Sequence, residues 1–422
     1  MMKKMIYICS AIMLLSACDK HDDDAPVVPP TSAERTVIVY MSGENNLDSY
    51  GFLSNDLSEM KDGSRSIPAN NRLVVFADRV YDGGKPFIAE IKDGVCDTLV
   101  KYDDDFYACD PARFTSVIKT CMAQCPASEY ALVLWGHATG WLISADSIAG
   151  SRPSALHRAY GADSGNNSSY GTFHWMNITQ MARAMQSLPH FKFIFADCCA
   201  MMTVEVAYQL RHATDFLIGS PVEIPGKGAP YDLVTPDLFL RTDSFYRTII
   251  DDYYNYYSRE YMTSSYVNDP NTSYLKGHSV PLSVVDMRYV ESLAQATRNL
   301  LQQPDSFVTD GVPFYFYTDM PIMYDMGCLL ERITPDEAYG QWLSALDRAV
   351  PYRRFSARWM TQYSQIRSAL VRNQFRFTEE NYSGLSMFVP KPAYNFSYQY
   401  QYNATFPSLD WCGAVGWERF MK

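Results

Sequence analysis

The sequence predicts an α/β protein with a mainly parallel sheet that is covered by helices on both faces. Short apolar runs recur without polar alternation, which is typical of strands buried on both faces. Amphipathic stretches separate these runs, as helical connections between parallel strands require. The chain has 422 residues, of which 47% are hydrophobic, so it can bury a large core.

The strand–helix alternation begins at residue 35 with the apolar run RTVIVYM. A helical pattern follows, with apolar residues at Leu47, Leu53, Leu57 and Met60. The next predicted elements are the strand NRLVVFAD, a hairpin in KPFIAEIKDGVCDTLVKY that turns at Asp93 and Gly94, a helix that carries Cys121, the strand YALVLWGH, the helix MNITQMARAMQSL and the strand FKFIFAD.

We predict four segments along the chain. Residues 1–17 form a lipoprotein signal peptide and residues 18–34 an acidic, proline-rich tether. Residues 35–274 form the main α/β domain, and residues 275–422 a C-terminal mixed α/β subdomain packed on the same core. The pattern leaves open whether this last part is a separate subdomain or adds strands to the same sheet.

The N-terminus has the pattern of an export signal. Two lysines precede an apolar run from Met5 to Leu15, which is too short to span a bilayer. The following LSAC resembles a bacterial lipobox, which predicts lipidation at Cys18; an ordinary signal peptide with an incidental cysteine is the alternative. The acidic run after Cys18 resembles the surface-export signal of Bacteroidetes lipoproteins, or is a plain spacer. We therefore predict a lipid anchor in the outer membrane of the bacterial envelope, with surface exposure left open.

Composition excludes some classes of function. The formal net charge of −11 argues against a nucleic-acid partner, which usually requires a basic face. Eight cysteines remain after Cys9 and Cys18, and they are scattered without any CxxC pair. Cys121 and Cys125 belong to an apolar helical stripe, so core packing is their predicted role. We therefore predict no disulfide framework and no metal site.

Two reactive side chains follow predicted parallel strands. His137 comes after ALVLWG and Cys199 after FIFAD, and the carboxyl ends of such strands meet at one edge of a sheet. The helical pattern after Cys199 predicts that the thiol lies near a helix N-terminus. Side chains alternate along a strand, so Cys198 and Cys199 should face opposite sides. A Cys–His catalytic pair fits this placement, but so do a buried free cysteine and a hydrogen-bonded loop histidine.

Four segments, VIVYMSGENNLD, LVLWGHATGW, YGADSGNNSS and FADCCAMMTVEV, resemble in order and spacing the clostripain family of cysteine peptidases. That resemblance implies a caspase-like fold, shared with gingipains and legumains. It also implies that Cys199 is the nucleophile and that His137 transfers protons. The oxyanion would be held by the backbone N–H groups of Cys199 and Ala138. Ala138 departs from the family pattern, which has glycine there.

The same resemblance implies a substrate pocket that contains Asp197 and prefers arginine or lysine. The segment SPVEIPGKG departs from the family pattern because Lys227 stands where an acid would help to hold a cation. Unless Lys227 points away or Glu223 compensates, strict Arg/Lys specificity should be weakened or lost. Arg152 and Arg158 lie in the loop between His137 and Cys199, which is either a self-cleavage site, as in some family members, or an ordinary surface loop.

The leading hypothesis is a secreted, lipid-anchored cysteine endopeptidase that acts on protein or peptide substrates through a His137–Cys199 dyad. The alternative is a catalytically impaired lipoprotein on the same fold that binds peptides or a partner. A cysteine-dependent α/β-hydrolase is disfavoured, because the chain has no Gly-x-Cys-x-Gly elbow and the histidine precedes the cysteine. No cofactor is predicted; calcium is implied by the resemblance only, since no EF-hand motif is present.

Overall fold

The computed structural model describes residues 32–80, 85–143, 160–165, 173–263, 279–302, 307–315, 322–356, 378–395 and 402–421. All of them belong to one compact unit that spans residues 32–422. The predicted signal peptide, Cys18 and the tether up to residue 31 lie outside the described residues, and so do Arg152 and Arg158.

The strands are short, and most of them are buried. In chain order they are β1 Ala33–Ser42, β2 Asn71–Asp78, β3 Phe87–Lys92, β4 Val95–Lys101, β5 Ala127–Trp135, β6 Tyr160–Asp163, β7 His174–Met176, β8 Phe191–Asp197, β9 Thr214–Gly219, β10 Leu282–Asp286, β11 Tyr324–Asp325, β12 Tyr352–Arg354 and β13 Ser386–Met387.

The helices connect these strands and follow the last of them. They are α1 Asn46–Ser49, α2 Phe52–Ser64, α3 Pro111–Gln124, α4 Ile178–Met185, α5 Val204–Leu210, α6 Tyr231–Asp237, α7 Phe245–Thr263, α8 Val290–Leu301, α9 Met326–Ile333, α10 Asp336–Ala349, α11 Tyr402–Thr405 and α12 Asp410–Val415. None of the helices in the described part of the chain is both long and apolar enough to cross a membrane.

Nine of the strands in the described residues form one sheet, in the order β12-β10-β9-β8-β5-β1-β2-β3-β4. The five strands in its middle, from β9 to β2, are parallel, and antiparallel strands flank them on both sides. The predicted α/β sheet with a parallel centre is therefore confirmed.

The hairpin predicted at Asp93 and Gly94 is also confirmed. β3 and β4 pair up to Lys92 and Val95, which leaves these two residues as the turn. Both have left-handed backbones, with φ of 50° at Asp93 and 83° at Gly94. This is the turn geometry that Asp-Gly favours, because it matches the twist of the two strands.

Each face of the sheet packs against its own layer of helices. One buried cluster joins the sheet to α3, α4, α5 and α8, and a second joins it to α2, α6 and α7. Apolar residues on both faces of the parallel strands explain why their sequences show no alternation.

The chain after residue 274 contributes both to the sheet and to the helical layers. β10 pairs antiparallel with β9, and β12 pairs with β10 at the edge. Helices α8 and α10 pack on the same face as α5. These residues therefore share the core of the preceding part, while the predicted boundary at residues 274 and 275 stays a prediction.

Candidate active site

Two neighbouring parallel strands bring the predicted catalytic residues to one edge of the sheet. The last paired residues of β5 and β8 are Trp135 and Asp197. His137 and Cys199 each follow two residues later, so equal lengths of chain extend from the same register position. Gly136 lies between and has a φ of 141°; a Cβ there would come within 2.9 Å of the Ser42 carbonyl oxygen. Only glycine fits this approach of two chains.

The imidazole of His137 is oriented by Asn46, the first residue of α1. Its Nε2 lies 2.7 Å from Oδ1 of Asn46, so Nε2–H donates to the amide oxygen and, in the neutral ring, Nδ1 carries the lone pair that accepts a proton. Gly161 N donates to the carbonyl oxygen of His137 at 2.8 Å, which holds its backbone. The position of Asn46 is itself fixed, because Asn45 caps α1 by accepting a hydrogen bond from Leu47 N at 2.9 Å.

The two adjacent cysteines occupy different environments. Cys198 is 1% exposed and belongs to the cluster that packs under α4 and α5. Cys199 is half-buried and lines a cavity at the strand ends. The alternation expected from strand geometry thus separates the two thiols in space.

The helix does not begin at Cys199, so the predicted placement of this thiol at a helix N-terminus is wrong. Helix α5 starts at Val204, and its cap is Thr203, whose hydroxyl accepts from Val206 N at 3.2 Å. The intervening residues pair instead with the segment after β9: Ala200 N donates to Val222 O at 2.8 Å. Ala200 also has a left-handed backbone, with φ of 56°, which the helix could not contain.

The electrostatic surroundings oppose ionisation of the Cys199 thiol. Burial, and then the nearby carboxylate of Glu223, raise its pKa to about 12, although a hydrogen bond from Ile224 N–H acts in the other direction. That N–H lies 3.4 Å from Sγ. The thiol is therefore protonated near neutral pH. Before or as sulfur attacks a substrate, the thiol proton must be transferred to a base.

The cavity beside His137 and Cys199 has a volume of about 240 Å³. Asp197 and Glu223 contribute its carboxylates, while Lys227 is exposed and is not among the lining residues. The other lining residues are Asn46, Leu47, Tyr50, Phe52, Trp135, Gly136, Ile224, Pro225, Gly226 and Gly228. The cavity is thus lined mainly by apolar groups and contains two carboxyl side chains.

A network that sequence reasoning missed holds Asp197. Its Oδ2 accepts from Ala229 N at 3.0 Å and from Tyr231 OH at 2.9 Å, and its Oδ1 accepts from Tyr253 OH at 3.0 Å. Burial raises the pKa of this carboxyl, and the three donors oppose the shift. A Cβ on Gly228 would come within 2.5 Å of Oδ2, so the loop approaches closely here. Tyr253 lies on α7, where the helical spacing of the tyrosines carries no signal for a partner on β8.

Ala138, the predicted second oxyanion donor, directly follows the histidine and is 4% exposed. It forms a bridge to Tyr160 at the start of β6. The left-handed residues other than glycine in the described part of the chain are Asn70, Asp93 and Ala200, so the methyl group of Ala138 meets no backbone strain.

One group of side chains in the described residues could hold a metal ion. Glu44, Asp78 and Asp163 are buried, and their carboxylate oxygens lie within 4.8 Å of one another. Burial and then the charge of Asp163 raise the pKa of Glu44 to about 9, and the same two causes raise the pKa of Asp78. Burial also raises the pKa of Asp163. The oxygen-only donor set suits a hard cation.

Comparisons with known proteins identify the family. Residues 39–422 match the sequence profile of the Clostripain family. Clostripain from Hathewaya histolytica is 26% identical over a stretch that covers 47% of this chain and 41% of that protein, so the chain spans less than half of this relative.

Solved structures agree. A secreted C11 cysteine protease from Bacteroides thetaiotaomicron, in complex with an irreversible peptide inhibitor, is 29% identical with a TM-score of 0.74, covering 92% of this chain and 99% of that one. An inactive zymogen C11 protease from Parabacteroides distasonis is 25% identical with a TM-score of 0.70, at 92% and 99% coverage. This chain belongs to the clostripain family of cysteine peptidases.

Proposed function

We propose that this protein is a cysteine endopeptidase in which Cys199 attacks the peptide bond and His137 transfers the proton. The observation that carries the proposal is the shared register of β5 and β8, which puts both residues beside one cavity. Family membership supports the same reaction. The substrates are then proteins or peptides.

The proposed reaction begins with a thiol that holds its proton, because burial raises the pKa of Cys199. The thiol of Cys199 holds its proton, so the proton passes to Nδ1 of His137 as sulfur attacks the scissile carbonyl carbon. Nε2–H stays hydrogen-bonded to Asn46, which keeps the ring in the orientation required. The imidazolium then gives the proton to the leaving amine, and a thioester to Cys199 remains. His137 next takes a proton from a water molecule, whose oxygen attacks the thioester carbonyl carbon. The C–S bond then breaks, the acid product leaves, and the proton passes from His137 back to the sulfur of Cys199.

Charge develops on the carbonyl oxygen during both attacks. We propose that the backbone N–H groups of Ala138 and Cys199 donate to this oxygen. The unstrained backbone of Ala138 supports this role, because the alanine amide needs no glycine conformation there.

We propose that the cavity binds the side chain that precedes the cleaved bond. Asp197 and Glu223 line it, which favours a cationic group, while Lys227 adds an opposing charge on the segment that joins Gly226 to Gly228. Burial raises the pKa of Asp56 and Glu59, and the charge of Lys227 opposes this shift, so its ammonium acts on these two acids. Weakened Arg/Lys specificity stays our prediction.

We further propose export and lipid anchoring at Cys18 on the outer membrane. The lipobox-like LSAC supports it, and a relative that is 29% identical is a secreted protease. Growth with a radiolabelled or alkyne fatty acid should label the wild-type protein, and Cys18→Ser should abolish the label. Labelling that persists in Cys18→Ser would contradict the anchor.

The test of the peptidase proposal is labelling by a peptide acyloxymethyl ketone, together with cleavage of a fluorogenic peptide library. Wild type and Cys198→Ala should label, whereas Cys199→Ala and His137→Ala should not. Cys198→Ala is the matched control, because it removes an adjacent thiol that faces the core. Absence of labelling in every variant across the library would favour the alternative, a catalytically impaired protein that binds peptides or a partner.

A further inference from the structure

Aromatic rings and glycine backbone line much of the cavity beside His137 and Cys199. Besides the imidazole, its rings include those of Tyr50, Phe52 and Trp135. Glycine carries no side chain, so the parts of the wall that glycines form are bare backbone. The glycines that line this cavity include Gly136, Gly226 and Gly228. Walls of this kind fit a flat group better than a branched one.

Two of these rings are held in place by the protein. The indole N–H of Trp135 donates to Oδ2 of Asp56 at 2.6 Å, and both side chains are buried. Phe52 begins α2 and lies directly against Gly226, where a Cβ would come within 2.7 Å of the Phe52 ring. Rings that are fixed before a ligand enters lose little entropy when it binds. This part of the wall is therefore preorganised.

Tyr50 lines the same cavity and is largely open to solvent. It is 71% exposed, the highest value among the large apolar and aromatic residues that the structure describes as exposed. Its ring centroid lies 6.2 Å from that of Phe52, with 66° between the ring planes. Its backbone is fixed, because Tyr50 N donates to Asn46 O at 2.9 Å at the end of α1. A substrate side chain in the cavity would therefore cover a ring that water now contacts, and would gain from that burial.

The carboxylate of Asp197 offers a ligand little hydrogen bonding. A carboxylate has about four lone-pair sites. Three of them here accept from Ala229 N, Tyr231 OH and Tyr253 OH. A guanidinium needs two sites for the usual bidentate pair, so Asp197 cannot form one. The contribution of Asp197 is then mainly its charge, which attracts lysine and arginine alike.

We propose that Tyr50 is a specificity-determining residue, which makes the cavity select side chains that end in a flat group. Phenyl, phenol and guanidinium groups stack on an aromatic face, whereas a puckered aliphatic ring cannot, and a strongly hydrated ammonium gains less. Arginine and aromatic residues are therefore preferred directly before the cleaved bond, over lysine and aliphatic residues of similar size. This role of Tyr50 rests on the proposed function, since the cavity is taken to hold that side chain.

The experiment compares fluorogenic peptides that differ only in the residue before the cleaved bond. One pair is phenylalanine and cyclohexylalanine, which differ in flatness and not in charge, and the second pair is arginine and lysine. Wild type should cleave the flat member of each pair with a kcat/KM about 2- to 12-fold higher, the gain expected from one aromatic contact. Tyr50→Leu keeps an apolar side chain but loses the flat ring, so both ratios should fall by about that factor. Tyr50→Phe keeps the ring and should keep both ratios.

Tyr289→Leu is the matched control, because it makes the same change in a partly exposed tyrosine far from the cavity. Tyr289 follows β10, whose last residue Asp286 pairs with Phe216 near the start of β9. Cys199 follows the end of β8, which runs parallel to β9, so Tyr289 lies at the other edge of the sheet. This variant should leave both ratios unchanged.

Binding is measured separately from cleavage, in protein that carries Cys199→Ala. Calorimetric titration uses peptide amides that end at the tested residue. Amides that end in the flat member of each pair should bind about 2- to 12-fold more tightly, and the addition of Tyr50→Leu should remove that preference.

The two measurements separate the role of Tyr50 from the peptidase proposal. Cleavage of both members of each pair at equal rates, or ratios that persist in Tyr50→Leu, would overturn this role and leave the peptidase proposal standing. A fall in kcat/KM by one common factor for all four peptides would show that Tyr50 only supports the structure, and would overturn its role too. A protein that cleaves none of the peptides but binds the amides with the expected preference would contradict the peptidase proposal and support the role of Tyr50. Absence of both cleavage and binding would overturn both.

Discussion

Replacement of Asn46 should slow catalysis while leaving the fold intact. The amide oxygen of Asn46 lies 2.7 Å from Nε2 of His137, a short and well-formed hydrogen bond. Asn46→Ala removes the acceptor, so the ring can rotate and exchange its tautomer. The proton acceptor at Nδ1 is then no longer held in one orientation beside the cavity that Cys199 lines.

The expected magnitude follows from the loss of this acceptor. A partly buried N–H left without a partner costs about 1–3 kcal/mol. If the ring orientation that catalysis requires is destabilised by this amount, kcat/KM should fall by about 5- to 150-fold. The substrate cavity keeps its other lining residues, so the loss should appear mainly in kcat.

Asn46→Asp separates a positioning role from a purely structural one. Its carboxylate still accepts from Nε2–H and also raises the pKa of His137, because an opposite charge stabilises the imidazolium. An imidazolium in turn stabilises the thiolate, so the rate of alkylation by iodoacetamide should rise at lower pH than in wild type. The assay is kcat/KM with the best peptide found in the library, combined with alkylation rates between about pH 5 and 9.

The control is Asn299→Ala, which removes an exposed asparagine from α8. Asn46→Ala with wild-type kcat, or Asn46→Asp with an unshifted alkylation profile, would refute the reasoning. Loss of the circular dichroism signal in both variants would show that Asn46 maintains the fold and does not act through His137.

Three further outcomes are expected. Glu223→Gln removes a negative charge that raises the pKa of Cys199, so this pKa should fall and alkylation near pH 7 should become a few-fold faster; an unchanged rate would show that burial alone sets it. Lys227→Ala should increase kcat/KM for substrates with arginine at the cleavage site by a few-fold over neutral ones, and an unchanged ratio would show that Lys227 does not affect specificity. Ile38→Ala, in the fully buried centre of β1, should lower the free energy of unfolding by about 2–5 kcal/mol in urea titrations, and a loss under 1 kcal/mol would mean that the core repacks.

The parallel centre of the sheet could be predicted because burial on both faces leaves a continuous apolar run in the sequence. The Asp93–Gly94 turn could also be predicted, since few residue pairs adopt its backbone. Strands of two or three residues, such as β11 and β13, carry too little pattern to be recognised. Their pairing is set by the tertiary packing around them.

Part of the candidate site could also be predicted from the buried strands. His137 and Cys199 follow recognisable strands, so their meeting could be anticipated from topology. The hydrogen-bond partners of His137 and Asp197 could not be anticipated, because Asn46 lies 91 residues from His137 along the chain and Tyr253 lies 56 residues from Asp197. The helix predicted after Cys199 begins only at Val204, because the residues between them pair with the segment after β9. The local sequence does not reveal this pairing, which depends on a distant segment.

His137 and Cys199 each lie two residues beyond the last pair of β5 and β8, and this limits where the protein can tolerate insertions and deletions. Main-chain hydrogen bonds between the two strands, and not the connection from one to the other, determine where His137 and Cys199 lie. Insertions, deletions or even a chain break in the connection can therefore leave the two residues in place. A single residue inserted between Trp135 and His137 would instead turn the imidazole to the opposite face and move it by about 3.3 Å. Evolution can thus change the length of the connection freely, while the two short segments that follow the strands must keep their lengths.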